Sequence, residues 1–291
     1  MESSKPIVAI AYDFDGTLAP GYMQEYDFIP NLKIANEEFW EESDRQAREN
    51  DMDGVLSYML LMLTKAKEKG ISIKKDDFIR YGKNIHFFDG VEDYFERINH
   101  YADLRGLKVE HNIISSGLRE FVAGTSIAKH FTNIFASGFV YDKKGAACWP
   151  ALAINYTNKT QFLFRINKGI RNSYDNSLIN KRIPKEERAV PFQNFIYIGD
   201  GETDVPAMKM VKLQGGTAIT VYNPRTQVAK DGRKSPRELC IDLINQGRAD
   251  YMAPADYRDG QPLSRIVEKV IDKIAAEQAL ISIKGETLNR Q

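Results

Sequence analysis

The feature that most constrains this chain is the run Ile7-Val-Ala-Ile-Ala-Tyr-Asp-Phe-Asp-Gly-Thr-Leu18, in which an apolar stretch ends at once in two aspartates and a glycine. Residues 7 to 12 show no polar alternation, so they read as a strand covered on both faces, as in a parallel sheet flanked by helices. Gly16 lets the chain turn sharply out of such a sheet. In an open parallel sheet ligands bind at the carboxyl ends of strands, which puts Asp13 and Asp15 at the mouth of the expected crevice. Two carboxylates one residue apart repel unless positive charge lies between them. A hard divalent cation such as Mg2+ meets that need with oxygen ligands. An acidic turn after a core strand is the plain alternative for a lone Asp-Gly, and the longer order Asp-x-Asp-Gly-Thr argues against it.

The same grammar recurs at Phe195-Ile-Tyr-Ile-Gly-Asp-Gly-Glu-Thr-Asp204, a second buried strand ending in Gly-Asp. Asp200 can reach a metal at the strand tip, and Asp204, at the entrance of a helix, can ligate it or orient its waters. Glu202 is a weaker candidate, nearer to solvent. Between these motifs, a strand over residues 107 to 114 ends in Ser115-Ser116-Gly117, whose hydroxyls and amides suit phosphate oxygens, although Ser-Ser-Gly is also a generic turn. Lys159 opens a helix with the apolar face Phe162, Leu163, Ile166 and Ile170, so its ammonium stands against the helix dipole, an arrangement that serves function better than stability. Lys168 is the second candidate for that duty.

The chain between these sites has a definite rhythm. Residues 31–48, 54–69 and 74–81 read as helices with no strand between them, so an all-helical insertion leaves and rejoins the sheet directly above the expected crevice. That layout suits a cap that closes over a site and excludes water. From Val91 onward helix and strand alternate: helix 91–101, helix 118–129, a hairpin 134–141 and 146–156, a polar excursion 171–194, strands 218–222 and 250–252, and helices 236–246 and 263–280. The expected fold is α/β, a doubly wound, mainly parallel sheet formed by residues 1–19 and 89–291, with a helical cap at residues 20–88.

Composition narrows the function classes. The 291 residues carry 40 basic and 40 acidic side chains, so no basic field points to nucleic acid. The basic loop 223–234 has no interleaved aromatics and reads as a solvated face. The two cysteines, Cys148 and Cys240, are far apart and make no disulfide framework. No stretch is apolar and long enough to span a bilayer, and the start lacks the apolar core of a signal peptide, so a cytoplasmic location without membrane association is expected.

The order and spacing of Asp13-Phe-Asp-Gly-Thr17, Ser115, Lys159 and Gly199-Asp-Gly-Glu-Thr-Asp204 resemble the four motifs of the haloacid dehalogenase-like superfamily of phosphohydrolases. The resemblance implies that Asp13 is a nucleophile forming an aspartyl-phosphate and that Asp15 is the general acid and base. It implies that Ser115 and Lys159 hold the phosphoryl group. Mg2+ would be bound by Asp13, the carbonyl of Asp15 and Asp200, with Asp204 assisting. Members that cleave carbon-halogen bonds typically lack the second aspartate, so Asp15 disfavours dehalogenation. The helical insertion is similar to the type 1 cap of phosphoserine phosphatase-like members, although Glu25 does not stand clearly where their amine-binding acid does. Tyr22, Glu25 and Arg45 are cap residues that could face the leaving group. The expected substrate is a small phosphorylated metabolite. A phosphomutase on the same core and a catalytically silent binding protein are the alternatives.

Overall fold

The computed structural model describes residues 5–226 and 234–288. Its seven strands are β1 (Ile7–Tyr12), β2 (Lys108–Leu118), β3 (Phe131–Tyr141), β4 (Ala147–Leu152), β5 (Phe195–Gly199), β6 (Thr217–Tyr222) and β7 (Tyr251–Pro254). They form one sheet in the order β4-β3-β2-β1-β5-β6-β7, with every neighbouring pair parallel except β3 with β4. The strand order reverses at β1. From there the chain builds outward to β2 and β3 on one side and later to β5, β6 and β7 on the other, so the crevice of such a sheet opens between β1 and β5.

Four helices lie between β1 and the next crossover: α1 (Phe28–Leu32), α2 (Asn36–Asn50), α3 (Gly54–Lys69) and α4 (Lys75–Gly82). The others are α5 (Val91–Asp103), α6 (Arg119–Gly124), α7 (Lys159–Asn167), α8 (Val205–Leu213), α9 (Pro236–Asn245) and α10 (Pro262–Leu288). The period-2 alternation of β1 sorts them into two layers. Val8, Ile10 and Tyr12 pack in one cluster with Tyr94, Phe95 and Ile98 of α5 and Val267 and Ile271 of α10. Ala9 and Ala11 pack in the other with Phe162, Leu163 and Ile166 of α7 and Met208 and Val211 of α8. Each fully buried large apolar side chain contributes about 1.5–3 kcal/mol. A one-residue slip of β1 would exchange the alanines for the large residues on both faces, so its register is firmly set.

The two crossings of the helical segment meet each other. Phe88 N donates to Leu18 O at 3.0 Å, Tyr26 Oη to Pro20 O and His86 O, and Asn84 Nδ2 to Asp27 Oδ2 at 2.6 Å. Helix α4 is set tightly on α6: a Cβ built on Gly82 would lie 2.0 Å from Phe121 O, and one on Gly124 1.8 Å from Ile79 O. Only glycine permits that approach.

Several boundaries differ from those read in the sequence. The helix expected from residue 31 begins at Asn36, because α1 ends at Lys33 with φ 57°. The strand expected to stop at residue 114 runs on through Ser115-Ser116-Gly117 to Leu118, with its pairing to β3 irregular there. The helix expected over 118–129 stops at Gly124, where Thr125 Oγ1 donates to Val122 O, and a 3-10 turn Ala128–His130 follows. The second hairpin strand ends at Leu152 instead of residue 156, since Asn155 and Asn158 form a turn, Asn155 N donating to Asn158 Oδ1 at 2.8 Å. The final helix extends eight residues further than expected, to Leu288. Within the basic loop 223–234, residues 227–233 lie outside the described residues.

Candidate active site

The register of the sheet brings the acidic motifs together. Tyr12 pairs with Ile198, and Asp13 N donates to Ile198 O at 2.9 Å, so the tips of β1 and β5 lie side by side. Asp13 continues the face of Ala9 and Ala11, the face that α7 covers. Packing of Phe162, Leu163 and Ile166 on that face carries the first residue of α7 inward, and Lys159 is fully buried. Its Nζ donates to Asp13 Oδ2 and to Asp204 Oδ1, both at 2.7 Å. Tyr197, on the same face of β5, donates its hydroxyl to Asp204 Oδ1 at 2.7 Å. The other oxygen of Asp204 accepts from Asp200 N at 3.1 Å and Gly201 N at 3.4 Å. Asp204 is therefore saturated by donors and fixes both the lysine and the loop that carries Asp200.

Glycines make the crowding possible. Gly16 has φ +74°, and a Cβ there would lie 2.1 Å from Asp200 Oδ2; a Cβ on Gly199 would lie 2.3 Å from Asp204 Oδ2. Asp15 Oδ1 accepts from Met23 N at 3.0 Å, in a 3-10 turn Met23–Glu25 that opens the helical segment. The Met23 sulfur in turn accepts from Leu118 N at 3.1 Å, which ties this turn to the end of β2. Ser115 is buried on β2, two residues beyond the Tyr12 partner Ile113, and its Oγ accepts from Gly117 N at 3.0 Å.

The electrostatics follow from four carboxylates around one ammonium. Burial pushes Asp13 up to about 6, partly opposed by Lys159 and reinforced by Asp204. Burial and the charge of Asp13 hold Asp15 well above the ordinary carboxylate range against the lowering influence of Met23 N–H. Asp200 is raised by burial and by the charges of Asp204 and Asp13. Burial disfavours the Lys159 ammonium, but Asp13 and Asp204 outweigh it and keep the lysine cationic. Asp13, Asp200 and Asp204 offer carboxylate oxygens that all lie within 4.8 Å of one another. An all-oxygen donor set with more negative charge than Lys159 can neutralise fits a hard divalent cation.

No family model matches the chain. An uncharacterized protein of Borreliella burgdorferi is 28% identical over 298 residues, spanning 93% of this chain and 99% of that one. Among solved structures, a phospho-aspartyl intermediate analogue of phosphoserine phosphatase superposes with a TM-score of 0.53 at 15% identity, over 91% of this chain and 99% of that chain. The chain has the haloacid dehalogenase-like fold. A HAD family hydrolase of Salmonella enterica serovar Typhi also superposes, with a TM-score of 0.51 at 18% identity, over 76% of this chain and 64% of its own.

On this haloacid dehalogenase-like sheet the expected residues divide as follows. Asp13, Lys159, Asp200 and Asp204 converge at the β1 and β5 tips, and Asp15 and Ser115 flank them. Lys168 is elsewhere: its Nζ donates to the carbonyls of Leu178, Ile179 and Lys181 and holds the polar excursion in place. The Glu202 side chain lies outside the described residues. Glu25 is near the acids, with Oε1 accepting from Trp40 Nε1 at 2.8 Å and Oε2 from Tyr22 N at 3.2 Å. Tyr22, half exposed, has its phenol pushed up to about 12 by partial burial and by the charges of Asp200, Asp15 and Glu25. Arg45 is exposed on α2. Tyr197 and Met23 belong to the site and carry no obvious signal in the sequence. A tyrosine in a buried strand reads as core, and Met23 meets Asp15 through its backbone N–H.

Proposed function

We propose that this chain is a Mg2+-dependent phosphatase that hydrolyses a small phosphomonoester through an aspartyl-phosphate. The observation that carries this reading is the Asp13 carboxylate held at a strand tip by a fully buried ammonium, with a second, proton-retaining carboxyl on Asp15 two residues on. In this reading Ser115 Oγ and Lys159 Nζ hold the phosphoryl oxygens. Asp13 attacks phosphorus, the bond to the leaving oxygen breaks, and Asp15 gives that oxygen its proton. Asp15, now ionised, takes a proton from water, which attacks phosphorus in turn and releases inorganic phosphate and free Asp13. The raised affinity of Asp15 for its proton suits the first half of this cycle. Asp13, the backbone carbonyl of Asp15 and Asp200 would hold Mg2+, with Asp204 assisting by fixing Lys159 and the loop that carries Asp200. When bound the ion offsets the repulsion between an anionic nucleophile and an anionic substrate.

Residues 20–88 serve as a helical cap over a core of residues 1–19 and 89–291. Contacts from Tyr58 Oη to Ser116 O and from Asn155 Nδ2 to Asp53 Oδ2 support a covered site suited to small metabolites. Among the described residues no helix is long and apolar enough to cross a membrane, and we place the enzyme in the cytoplasm. The test is phosphate release from a panel of phosphorylated metabolites and an aryl phosphate with Mg2+, with acid-quench trapping of 32P on the protein. The wild type turns over and carries label, while Asp13→Asn does neither. An Asp13→Asn variant as active as the wild type overturns the reading.

A further inference from the structure

The groups above Asp15 have a chemistry of their own. Tyr22 and Trp40 stand with ring centroids 4.8 Å apart at 55°, and Trp40 meets Tyr58 at 6.0 Å and 71°. The rings are inclined to one another and do not stack flat, and Phe39 meets Trp40 edge-on at 5.2 Å and 89°. Glu25 braces Tyr22 and Trp40, one oxygen accepting from the Trp40 indole N–H and the other from the Tyr22 amide, while its charge acts on the Tyr22 phenol and on Asp15. The assembly is fixed to the chemistry on two sides: Met23 N binds Asp15, and Tyr58 Oη binds Ser116 O at 2.6 Å.

The cations that could face an anionic leaving group are committed elsewhere. Lys159 is buried between Asp13 and Asp204. Arg119 Nε binds Glu120 and its Nη2 binds Phe139 O at 3.2 Å. Arg45 is exposed five residues after Trp40, about 140° around the helix from it. A leaving group bearing a carboxylate or second phosphate would meet the Glu25 carboxylate without a cationic partner among these residues. A cation would meet π faces beside the Glu25 carboxylate, the arrangement that attracts alkylated ammonium groups.

Resting on the phosphatase reading, we propose that this vestibule selects phosphomonoesters of amino alcohols whose nitrogen is a quaternary ammonium, with Tyr22 and Trp40 as the specificity-determining faces. The test compares kcat/KM for phosphocholine, its uncharged carbon isostere 3,3-dimethylbutyl phosphate, phosphoserine and p-nitrophenyl phosphate, with Mg2+. The two isosteric esters differ in the positive charge and little else. Phosphocholine should exceed the isostere by about tenfold or more, the scale of a desolvated cation over aromatic faces. Tyr22→Leu should bring that ratio toward one, and Tyr22→Phe should keep it; the half-exposed position makes both variants safe for folding. A wild-type ratio near or below one, or phosphoserine as the best ester, overturns the inference. If the isostere and the aryl phosphate are hydrolysed in that case, the phosphatase reading stands alone. If no ester is hydrolysed, both fall.

Discussion

Replacing Lys159 by methionine tests the electrostatic account of the site most directly. The change keeps an unbranched chain of similar length and deletes one charge. In the structure that ammonium is fully buried and contacts two carboxylates at 2.7 Å. At an effective dielectric of about 20, each contact represents roughly 6 kcal/mol of gross attraction, set against several kcal/mol of desolvation for each buried ion. Removing one partner of such a cluster leaves buried charge uncompensated, so the expected loss is about 3–5 kcal/mol at pH 7.5 in the presence of chelator. Urea unfolding followed by the fluorescence of the two tryptophans, Trp40 and Trp149, measures it.

The pH dependence supplies the sharper check. Asp13 already retains its proton up to about 6 with Lys159 present, above the ordinary value of 3.8. Without the lysine its folded-state affinity rises further, so from about pH 4 to beyond pH 6 the folded protein binds more protons than the unfolded one. Stability of the variant therefore falls as pH rises through that window, and the deficit against wild type shrinks on going from pH 7.5 to pH 5. Lys168→Met, which loses only hydrogen bonds to backbone carbonyls, should show no such slope. A Lys159→Met protein within about 1 kcal/mol of wild type at pH 7.5, or a deficit that grows on acidification, would refute the reasoning.

Three further outcomes follow from the same structure. His111 is buried with Nδ1 on the Tyr12 hydroxyl and is pushed down to about 3 by burial, so the unfolded state takes up its proton first below about pH 6.5 and stability is lost as pH falls toward 3. His111→Gln should flatten the wild-type slope by up to about 1.4 kcal/mol per pH unit between pH 6 and 4, measured by urea titrations at each pH. Gly82→Ala should cost on the order of 1–3 kcal/mol, because its Cβ meets Phe121 O at 2.0 Å, while Gly54→Ala, with open space around it, should not destabilise. Mg2+ should stabilise the wild type against urea by about 2.7 kcal/mol at a hundred times its Kd, and Asp200→Asn should abolish most of that gain.

The strand tips were the most legible part of the chain. Unalternated apolar runs before Asp13 and Asp200 can be satisfied only between two helical layers, and their polar ends then have to emerge at one edge. Lys159 could be read as the start of a helix, but its burial against Asp13 depends on matching the Ala9 and Ala11 face of β1 to Phe162 and Leu163, a pairing across some 150 residues that local pattern does not encode. Ser-Ser-Gly reads as a turn because its composition is that of a turn, whereas the pairing of Ser115 with Ala136 and of Leu118 with Ser137 carries Ser116 and Gly117 through as an irregularity within the strand. Tyr22 and Trp40 are 18 positions apart, and nothing in either neighbourhood announces that the rings meet. Met23 is beyond sequence reading in principle, since every residue but proline has the N–H it uses.

In the proposed mechanism Asp15 is the acid, and the 3-10 turn Met23–Glu25 that touches it follows directly on Tyr22, so specificity and chemistry would be tied. Met23 N–H favours the ionised form of Asp15, opposing the burial and the Asp13 charge that favour the protonated one. Were a leaving group against Tyr22 to lengthen the 3.0 Å bond from Met23 N, Asp15 would hold its proton more firmly until transfer. Hydrolysis by water later needs the ionised form, which the same N–H supports once the leaving group has gone. On this argument Tyr22→Leu should affect proton donation as well as binding. The pH profile of kcat for esters with good and poor leaving groups separates the two, since only a poor leaving group depends on the Asp15 proton. A variant that changes KM alone, with kcat for the poor leaving group intact, would show that the turn holds the substrate and leaves the acid untouched.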